Sequence, residues 1–263
     1  MSQVAKVRFT DYRAAIGTAL DAIGAAARLP NDRLIIIKPN LTNADGPPVT
    51  TPVAAAEAVY EYCRAHCKAE IAIGEGCGSG VTQDTYQANG YTKLAEEHGL
   101  RLLDFNREPD ILLQRSDALQ LKQLYMPRIA LDAFIISLPI LKDHSFTRTT
   151  IAMKNMFGLA PAPRYEGSWN KSKLHSPSTH RSVVDVCRYK APDLCVVDAV
   201  VALTGMHLAG TPRNLGLILA SFDPVAVDAV GSELLGHDPR RIEYLKLANG
   251  ILGAMDDIQI IDG

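Results

Sequence analysis

Residues 32–40, DRLIIIKPN, carry the clearest sign of the fold class of this chain. A leucine and three isoleucines follow one another with no polar residue between them, and Lys38 ends the run. A strand with one solvated face alternates apolar and polar residues, whereas a continuous run is typical of a strand covered on both faces, as in parallel sheets. The runs AFIISLPIL (133–141) and DLCVVDAVVAL (193–203) repeat this pattern.

Helical patterns separate the apolar runs. In TPVAAAEAVYEYCRAHC (51–67), Thr51 suits a helix N-cap and Pro52 suits the first helical position. Repeated alternation of strands and helices predicts an α/β fold, with a mainly parallel twisted sheet that helices cover on both faces. The 263 residues fit one domain, residues 1–263.

Residues 160–182 interrupt this alternation with a long, polar, proline-rich stretch that contains the only tryptophan, Trp169. Long loops inside compact domains are often lids or binding loops. The stretch is locally basic through Arg164, Lys171, Lys173 and Arg181. We therefore expect a lid or small lobe at 160–182 that closes on an anionic ligand; a disordered excursion is the alternative.

Composition excludes several classes of partner. The net charge of −2 shows no basic excess, so we expect no nucleic-acid partner. No apolar stretch reaches the roughly 18–20 residues that span a bilayer, and the N-terminal residues show no export signal, which predicts a cytoplasmic protein with no membrane partner. Its five cysteines would then stay reduced, and because they form no closely spaced run we expect no iron–sulfur cluster in this chain.

Polar residues follow several of the predicted strands. Those after the second, third and fifth strands are Lys38 and Asn40, then Glu75 within GEGCGSG (74–80), then Lys142 and His144. The carboxyl ends of parallel strands meet at one edge of the sheet, where such proteins bind ligands, so we expect these side chains to form a site. The same reasoning places Asp198 and Asp223, which accompany the sixth and seventh strands, at this edge. Asp223 is more simply explained as the N-cap of the next predicted helix, with Pro224 at the first helical position.

The segment LPILKDHSFTRTTIAMKNMFGL (138–159) has the densest supply of polar groups. Two nearby lysines lower the pKa of one another, which makes one of them a usable base, and imidazole titrates near neutral pH. We therefore predict Lys154, His144 and Lys142 as catalytic groups. The predicted substrate-binding groups are Lys38, Asn40, Thr150, Asn155 and Glu75. The alternative for Lys154 is a solvated position on an amphipathic helix.

A divalent metal is a further hypothesis. Asp228 lies within VAVDAV, where its neighbours indicate burial, and a buried carboxylate needs a partner. A lysine or a cation would serve, and Asp198, Asp228 and His175 are the predicted metal ligands. The spacing of the histidines matches no standard zinc motif.

Five stretches in this order resemble the family known as domain of unknown function 362: IKPNL (37–41), SLPILKDHSFTRTTIAMKNMFGL (137–159), VVDAVVALTG (196–205), GLILASFDPVAVDAVGSELLG (216–236) and IEYLKLA (242–248). The resemblance extends from about Lys38 to Gly263. It implies an iron–sulfur-related role, because many members carry a ferredoxin-like cysteine segment, which this sequence does not contain. A second departure is TGMHLAGTP (204–212), with His207 where members have an acidic or small residue, so any role carried over to this turn stays open.

Two functions follow from these observations. The first is an enzyme that uses acid–base chemistry on a small carboxylate or phosphate, most simply as a lyase or isomerase, because no nucleophile elbow or redox cysteine pair is present. The second is a redox or cofactor-binding accessory protein that works with an iron–sulfur partner. A homo-oligomer is compatible with either function.

Overall fold

The computed structural model describes all residues, 1–263. The strands are β1 Ser2–Arg8, β2 Ile35–Pro39, β3 Ile71–Glu75, β4 Arg101–Asp104, β5 Asp110–Gln114, β6 Gln123–Pro127, β7 Phe134–Leu138, β8 Ile140–His144, β9 Arg148–Thr150, β10 Leu194–Thr204, β11 Thr211–Ser221 and β12 Ile258–Asp262.

The α-helices are α1 Tyr12–Ala22, α2 Val53–His66, α3 Thr82–Ala88, α4 Tyr91–His98, α5 Arg128–Asp132, α6 Ala152–Asn155, α7 Ala162–Tyr165, α8 Thr179–Tyr189, α9 Pro224–Leu234 and α10 Glu243–Ala248. Short 3₁₀ turns span Ala25–Arg28, Met156–Leu159, Ser172–His175 and Pro239–Arg241. The longest helix has 14 residues, and none has the length and apolar character needed to cross a membrane.

The main sheet has the strand order β12-β1-β11-β10-β7-β2-β3-β4, and only β11 on this path runs opposite to the others. Strand β8 continues past the end of β7, pairs in parallel with β10 and carries the short antiparallel β9. Strands β5 and β6 form a separate hairpin. The predicted α/β fold with a mainly parallel sheet is therefore confirmed.

The isoleucine run of β2 is buried on both faces of this sheet. Ile35 and Ile37 belong to one core cluster that includes residues of α1 and α2, whereas Ile36 belongs to another that includes residues of α8 and α10. All three side chains are fully buried, and burial of each stabilises the fold by about 1.5–3 kcal/mol. Helices on both faces explain why β2 has no polar alternation.

Strand β11 corrects one expectation about the site. Residues 205–210 join β10 to β11, and this connection is shorter than the dozen or more residues that a parallel crossover needs. The strand therefore runs antiparallel and ends at the edge of the sheet opposite to the site. Asp223 lies there and caps α9 by accepting N–H bonds from Val225 at 2.8 Å and Ala226 at 2.9 Å. Its interpretation as an N-cap is confirmed, and its placement with the other strand-end residues was wrong.

The stretch 160–182 folds into α7, the turn Ser172–His175 and the start of α8. Leu174 and Lys171 are buried, and the Tyr165 hydroxyl accepts the backbone N–H of Tyr125 at 2.6 Å. Trp169 is half exposed. The stretch thus packs against the rest of the chain and borders a cavity at the carboxyl ends of β2, β3 and β8.

Candidate functional site

The carboxyl ends of β2, β3 and β8 meet at a cavity of about 570 Å³. Helix α6 and the turn Met156–Leu159 form another part of its wall. Of the predicted site residues, the cavity lining includes Asn40, Glu75, Lys142, His144, Thr150, Lys154, Asn155 and His175. Lys38 lies behind this lining, where it contacts Glu75 and Asn155.

A buried ion pair forms the base of the cavity. The Lys38 Nζ donates to both Glu75 carboxylate oxygens, at 2.9 and 3.0 Å, and to the Asn155 Oδ1 at 3.2 Å. Glu75 also accepts the backbone N–H groups of Leu41 at 3.0 Å and Gly76 at 2.8 Å. Burial lowers the pKa of Lys38, and the attraction of Glu75 opposes this shift.

Gly158 allows the ion pair to approach the backbone. A Cβ atom at this position would collide with the Glu75 carboxylate and the Lys38 side chain. Only a residue without a side chain leaves room for both groups.

Protein oxygens accept hydrogen bonds from part of the Lys142 ammonium group. Its Nζ donates to the Asn40 Oδ1 at 2.6 Å and to the Val49 carbonyl at 2.8 Å. Burial, with repulsion from Lys154, lowers the pKa of Lys142 to about 7. An ammonium has three donors, so one N–H of Lys142 remains for a ligand.

Lys154 makes no hydrogen bond to the protein. Its Nζ lies 4.5 Å from the centroid of the Phe157 ring, and the residue is 9% exposed where it lines the cavity. Burial, with repulsion from Lys171, lowers the pKa of Lys154 to about 7. The solvated alternative for this lysine is therefore wrong, because α6 is buried along its whole length.

Asp228 fixes the position of α6. Its carboxylate accepts the backbone N–H groups of Ala152 at 2.8 Å and Met153 at 3.3 Å, together with the Tyr244 hydroxyl at 3.1 Å. Burial raises the pKa of Asp228 to about 7. The partner that this buried carboxylate requires is thus the start of the helix that carries Lys154.

The histidines of the cavity are uncharged at neutral pH. His144 accepts the Phe146 N–H on Nδ1 at 3.0 Å, and burial with repulsion from Lys154 holds its pKa well below the usual range. A neutral ring that accepts on Nδ1 carries its proton on Nε2, so His144 is a hydrogen-bond donor. His175 donates from Nδ1 to the Lys171 carbonyl at 3.1 Å, which leaves its Nε2 as an acceptor; burial lowers its pKa to about 4.

The family model described as "Domain of unknown function (DUF362)" matches residues 35–233. The chain belongs to this family. A Synechocystis sp. protein described as thylakoid-associated is 28% identical over 242 residues, which cover 87% of this chain and 71% of the relative.

All of the cavity residues described above lie within the matched part of this DUF362 chain. The ion pair of Lys38 and Glu75 and the carboxylate of Asp228 lie within it as well. The cavity is therefore built by the part of the chain that the family shares.

The three predicted metal ligands do not meet. Asp198 accepts the Tyr12 hydroxyl at 2.8 Å and the Val200 N–H at 2.9 Å, away from the cavity, while Asp228 lies behind α6 and only His175 lines the cavity. Protein donors already occupy both carboxylates. No group of three or more His, Cys, Asp or Glu side chains is arranged to hold a metal ion, and the predicted set of Asp198, Asp228 and His175 was wrong as a common site.

Sequence reasoning missed Lys171 as a site residue. Its Nζ donates to the carbonyls of Gly76 at 2.6 Å, Phe157 at 3.2 Å and Gly158 at 3.4 Å, and burial lowers its pKa to about 8. In the sequence it is one of several basic residues in a polar stretch, and no local pattern separates it from the exposed Lys173.

His207 was also missed as a cavity residue. Its ring stacks on that of His144 with centroids 4.1 Å apart, and burial lowers its pKa to about 4. The Asp143 carboxylate accepts the Gly205 N–H at 2.6 Å and so fixes the loop that carries this histidine. The departure of TGMHLAGTP from the family pattern is the sequence signal that could have indicated this position.

Proposed function

We propose that this DUF362 protein is an enzyme that performs acid–base chemistry on a small carboxylate- or phosphate-bearing substrate in the cavity. The observation that carries this proposal is an imbalance of charge. Lys142, Lys154 and Lys171 line the cavity, whereas Glu75 is its only carboxylate and is already paired with Lys38. A buried cluster of cations without counterions favours an anionic ligand.

The lysines divide into two groups by their hydrogen bonds. Lys38 and Lys171 each donate to several protein oxygens, so they contribute charge and hold the frame of the site. Lys142 has a free donor, and Lys154 makes no hydrogen bond to the protein. The substrate anion therefore binds at Lys142, near the hydroxyl of Thr150.

Lys154 is the group that transfers the proton. With a pKa lowered to about 7, this lysine is a mixture of amine and ammonium at neutral pH. The amine accepts a proton from the substrate and the ammonium returns one, and a catalyst with a pKa close to the working pH does both efficiently. His144 supplies a neutral donor that orients the substrate, whereas Asn155 already donates its amide hydrogens to the Lys38 carbonyl and the Ser137 hydroxyl, at 3.0 Å each.

Anion binding is the first test. Inorganic phosphate at pH 7 should stabilise the protein against thermal unfolding, and Lys142→Met should weaken this stabilisation at least tenfold in phosphate concentration. Lys93→Met, which removes an exposed lysine, is the matched control and should behave as wild type. Equal stabilisation of wild type, Lys142→Met and Lys93→Met by phosphate would contradict the proposed anion site at Lys142.

Proton transfer is the second test. The protein is incubated in D₂O with a panel of 2-hydroxy and 2-oxo carboxylates and phosphorylated carboxylates, and loss of C–H signals is followed by NMR. We expect exchange at a carbon next to the carboxylate or carbonyl group of at least one compound. Exchange in Lys154→Met at the wild-type rate would contradict the assignment.

The accessory role with an iron–sulfur partner makes a different prediction. It requires a chromophore or metal that co-purifies with the chain, so absorption spectroscopy and elemental analysis of fresh protein separate the two functions. A divalent cofactor, a homo-oligomer and a cytoplasmic location stay predictions.

A further inference from the structure

One side of the cavity is built of flat rings, of which only His144 has a role in the proposed proton transfer. They belong to His144, His175, His207, Phe146 and Trp169, all of which line the cavity. The lysines lie in the same cavity, so a ligand that reaches them also meets these rings.

The three imidazoles present neutral faces. His144 and His207 are stacked with an interplanar angle of 23°, and the rings of His144 and His175 are nearly parallel, at 11° with centroids 6.5 Å apart. The pKa of His175 and that of His207 are lowered to about 4, so neither ring is charged at pH 7. A neutral heteroaromatic face stacks readily on another flat ring.

The two larger rings border the open side of the cavity. Phe146 and Trp169 are both 52% exposed, and their centroids lie 5.6 and 6.1 Å from that of His175. An exposed apolar patch with polar surroundings is typical of a ligand-binding site.

The size of the cavity supports a ligand with a body beyond its anionic group. A volume of about 570 Å³ lies within the range of about 300–1,000 Å³ that is usual for pockets that hold drug-sized ligands. A single carboxylate or phosphate at the lysines would leave the ring-lined side unfilled.

We propose that the ligand of this site is a carboxylate or phosphate that carries a planar, aromatic or conjugated ring, with the anion at Lys142 and the ring against the imidazole and aromatic side chains. This proposal rests on the proposed function, because it uses the same anion site. It adds the shape and chemistry of the rest of the ligand.

Two matched pairs of probes test the proposal by isothermal titration calorimetry. Benzoate is compared with cyclohexanecarboxylate, and phenyl phosphate with cyclohexyl phosphate, because each pair shares its anion and carbon count but differs in planarity. We expect the planar member of each pair to bind about fivefold more tightly or better. Trp169 is the only tryptophan, so its fluorescence should change when phenyl phosphate binds.

Variants of the ring residues test whether the preference for planar probes arises in this cavity. Phe146→Leu and Trp169→Leu should each reduce the planar preference at least twofold without weakening the cyclohexyl probes, and both sites are exposed enough for the protein to fold. Ile251→Ala, an exposed apolar residue outside the cavity, should leave the preference unchanged.

The outcomes separate this inference from the proposed function. Equal affinities within each pair would overturn the ring proposal, while a loss of affinity in Lys142→Met would still support the anion site. Affinities for the planar probes that Lys142→Met leaves unweakened would contradict the anion site. No binding of any probe at millimolar concentration would contradict both.

Discussion

Lys38 and Lys154 are both buried lysines of one site, but their surroundings are opposite. Lys38 donates to a carboxylate, an amide oxygen and a carbonyl, whereas Lys154 makes no hydrogen bond to the protein and its Nζ lies over the face of Phe157. A buried charge with partners is a structural element, and a buried amine without them is available for chemistry. The comparison shows that burial alone does not identify the catalytic lysine. The absence of hydrogen-bond partners in the protein distinguishes it from the structural lysine.

The largest effect should come from breaking the ion pair of Lys38. Lys38→Met leaves Glu75 buried without its cation, and Glu75→Gln leaves Lys38 without its carboxylate, so each should lower the free energy of unfolding by about 3–5 kcal/mol. Urea unfolding measures the change. The double variant should lose less than the sum of the single changes, because neither charge is then left alone.

A loss in either single variant no greater than that of Lys93→Met would show that Lys38 and Glu75 are not a structural pair. The contrast with Lys154 would then fail.

Lys154→Met should change activity and not stability, in contrast to Lys38→Met. Removing an unpaired buried amine should not lower the free energy of unfolding at pH 7, but it should slow deuterium exchange into substrate by about 100-fold or more. In wild type, the exchange rate should rise with pH through about 7 as the ammonium loses its proton.

If Lys154→Met lowers the free energy of unfolding as much as Lys38→Met does, Lys154 has a structural role in the site. A deuterium-exchange rate that does not change between pH 6 and pH 8 would show that Lys154 is not the base of this reaction.

The stability of the wild-type protein should rise between pH 7 and pH 9. The pKa of Lys154 falls from 10.5 to about 7 on folding, so the folded state favours the amine, and the stabilisation that is full above pH 10.5 is lost as the pH falls through 7. The rise should be on the order of 2 kcal/mol for each such lysine. Denaturant unfolding across this range measures it.

Lys154→Met should remove its share of this pH-dependent rise, and Lys93→Met should retain all of it. If both variants keep the wild-type slope, the burial of Lys154 does not control its ionisation.

Asp228→Asn should have the smallest effect. The carboxylate positions α6 through two backbone N–H groups, and an amide retains one acceptor for them, so we expect a loss of about 1 kcal/mol in unfolding free energy. Deuterium exchange should slow by about tenfold, because Lys154 moves with its helix. Exchange as slow as in Lys154→Met would indicate that Asp228 itself reaches the substrate.

Much of the site could be predicted because parallel strands carry their carboxyl ends to one edge. Lys38, Glu75 and Lys142 are far apart in the chain, yet each ends an apolar run, and that pattern predicts their convergence. The rule failed at Asp223, since the short connection before β11 reverses that strand.

The remaining residues could not be predicted because their roles depend on contacts between distant segments. Lys171 looks like an ordinary charge of a polar stretch until its three carbonyl partners are known. His207 gains its role from His144, which lies on another strand.

The sequence by itself determined the α/β class and the edge of the sheet where polar groups gather, because apolar periodicity and strand direction are local properties. Only the tertiary structure decided which lysine is paired, which is free and which rings face them. Hydrogen-bond partners and desolvation are set by atoms that neighbour one another in space and lie far apart along the chain.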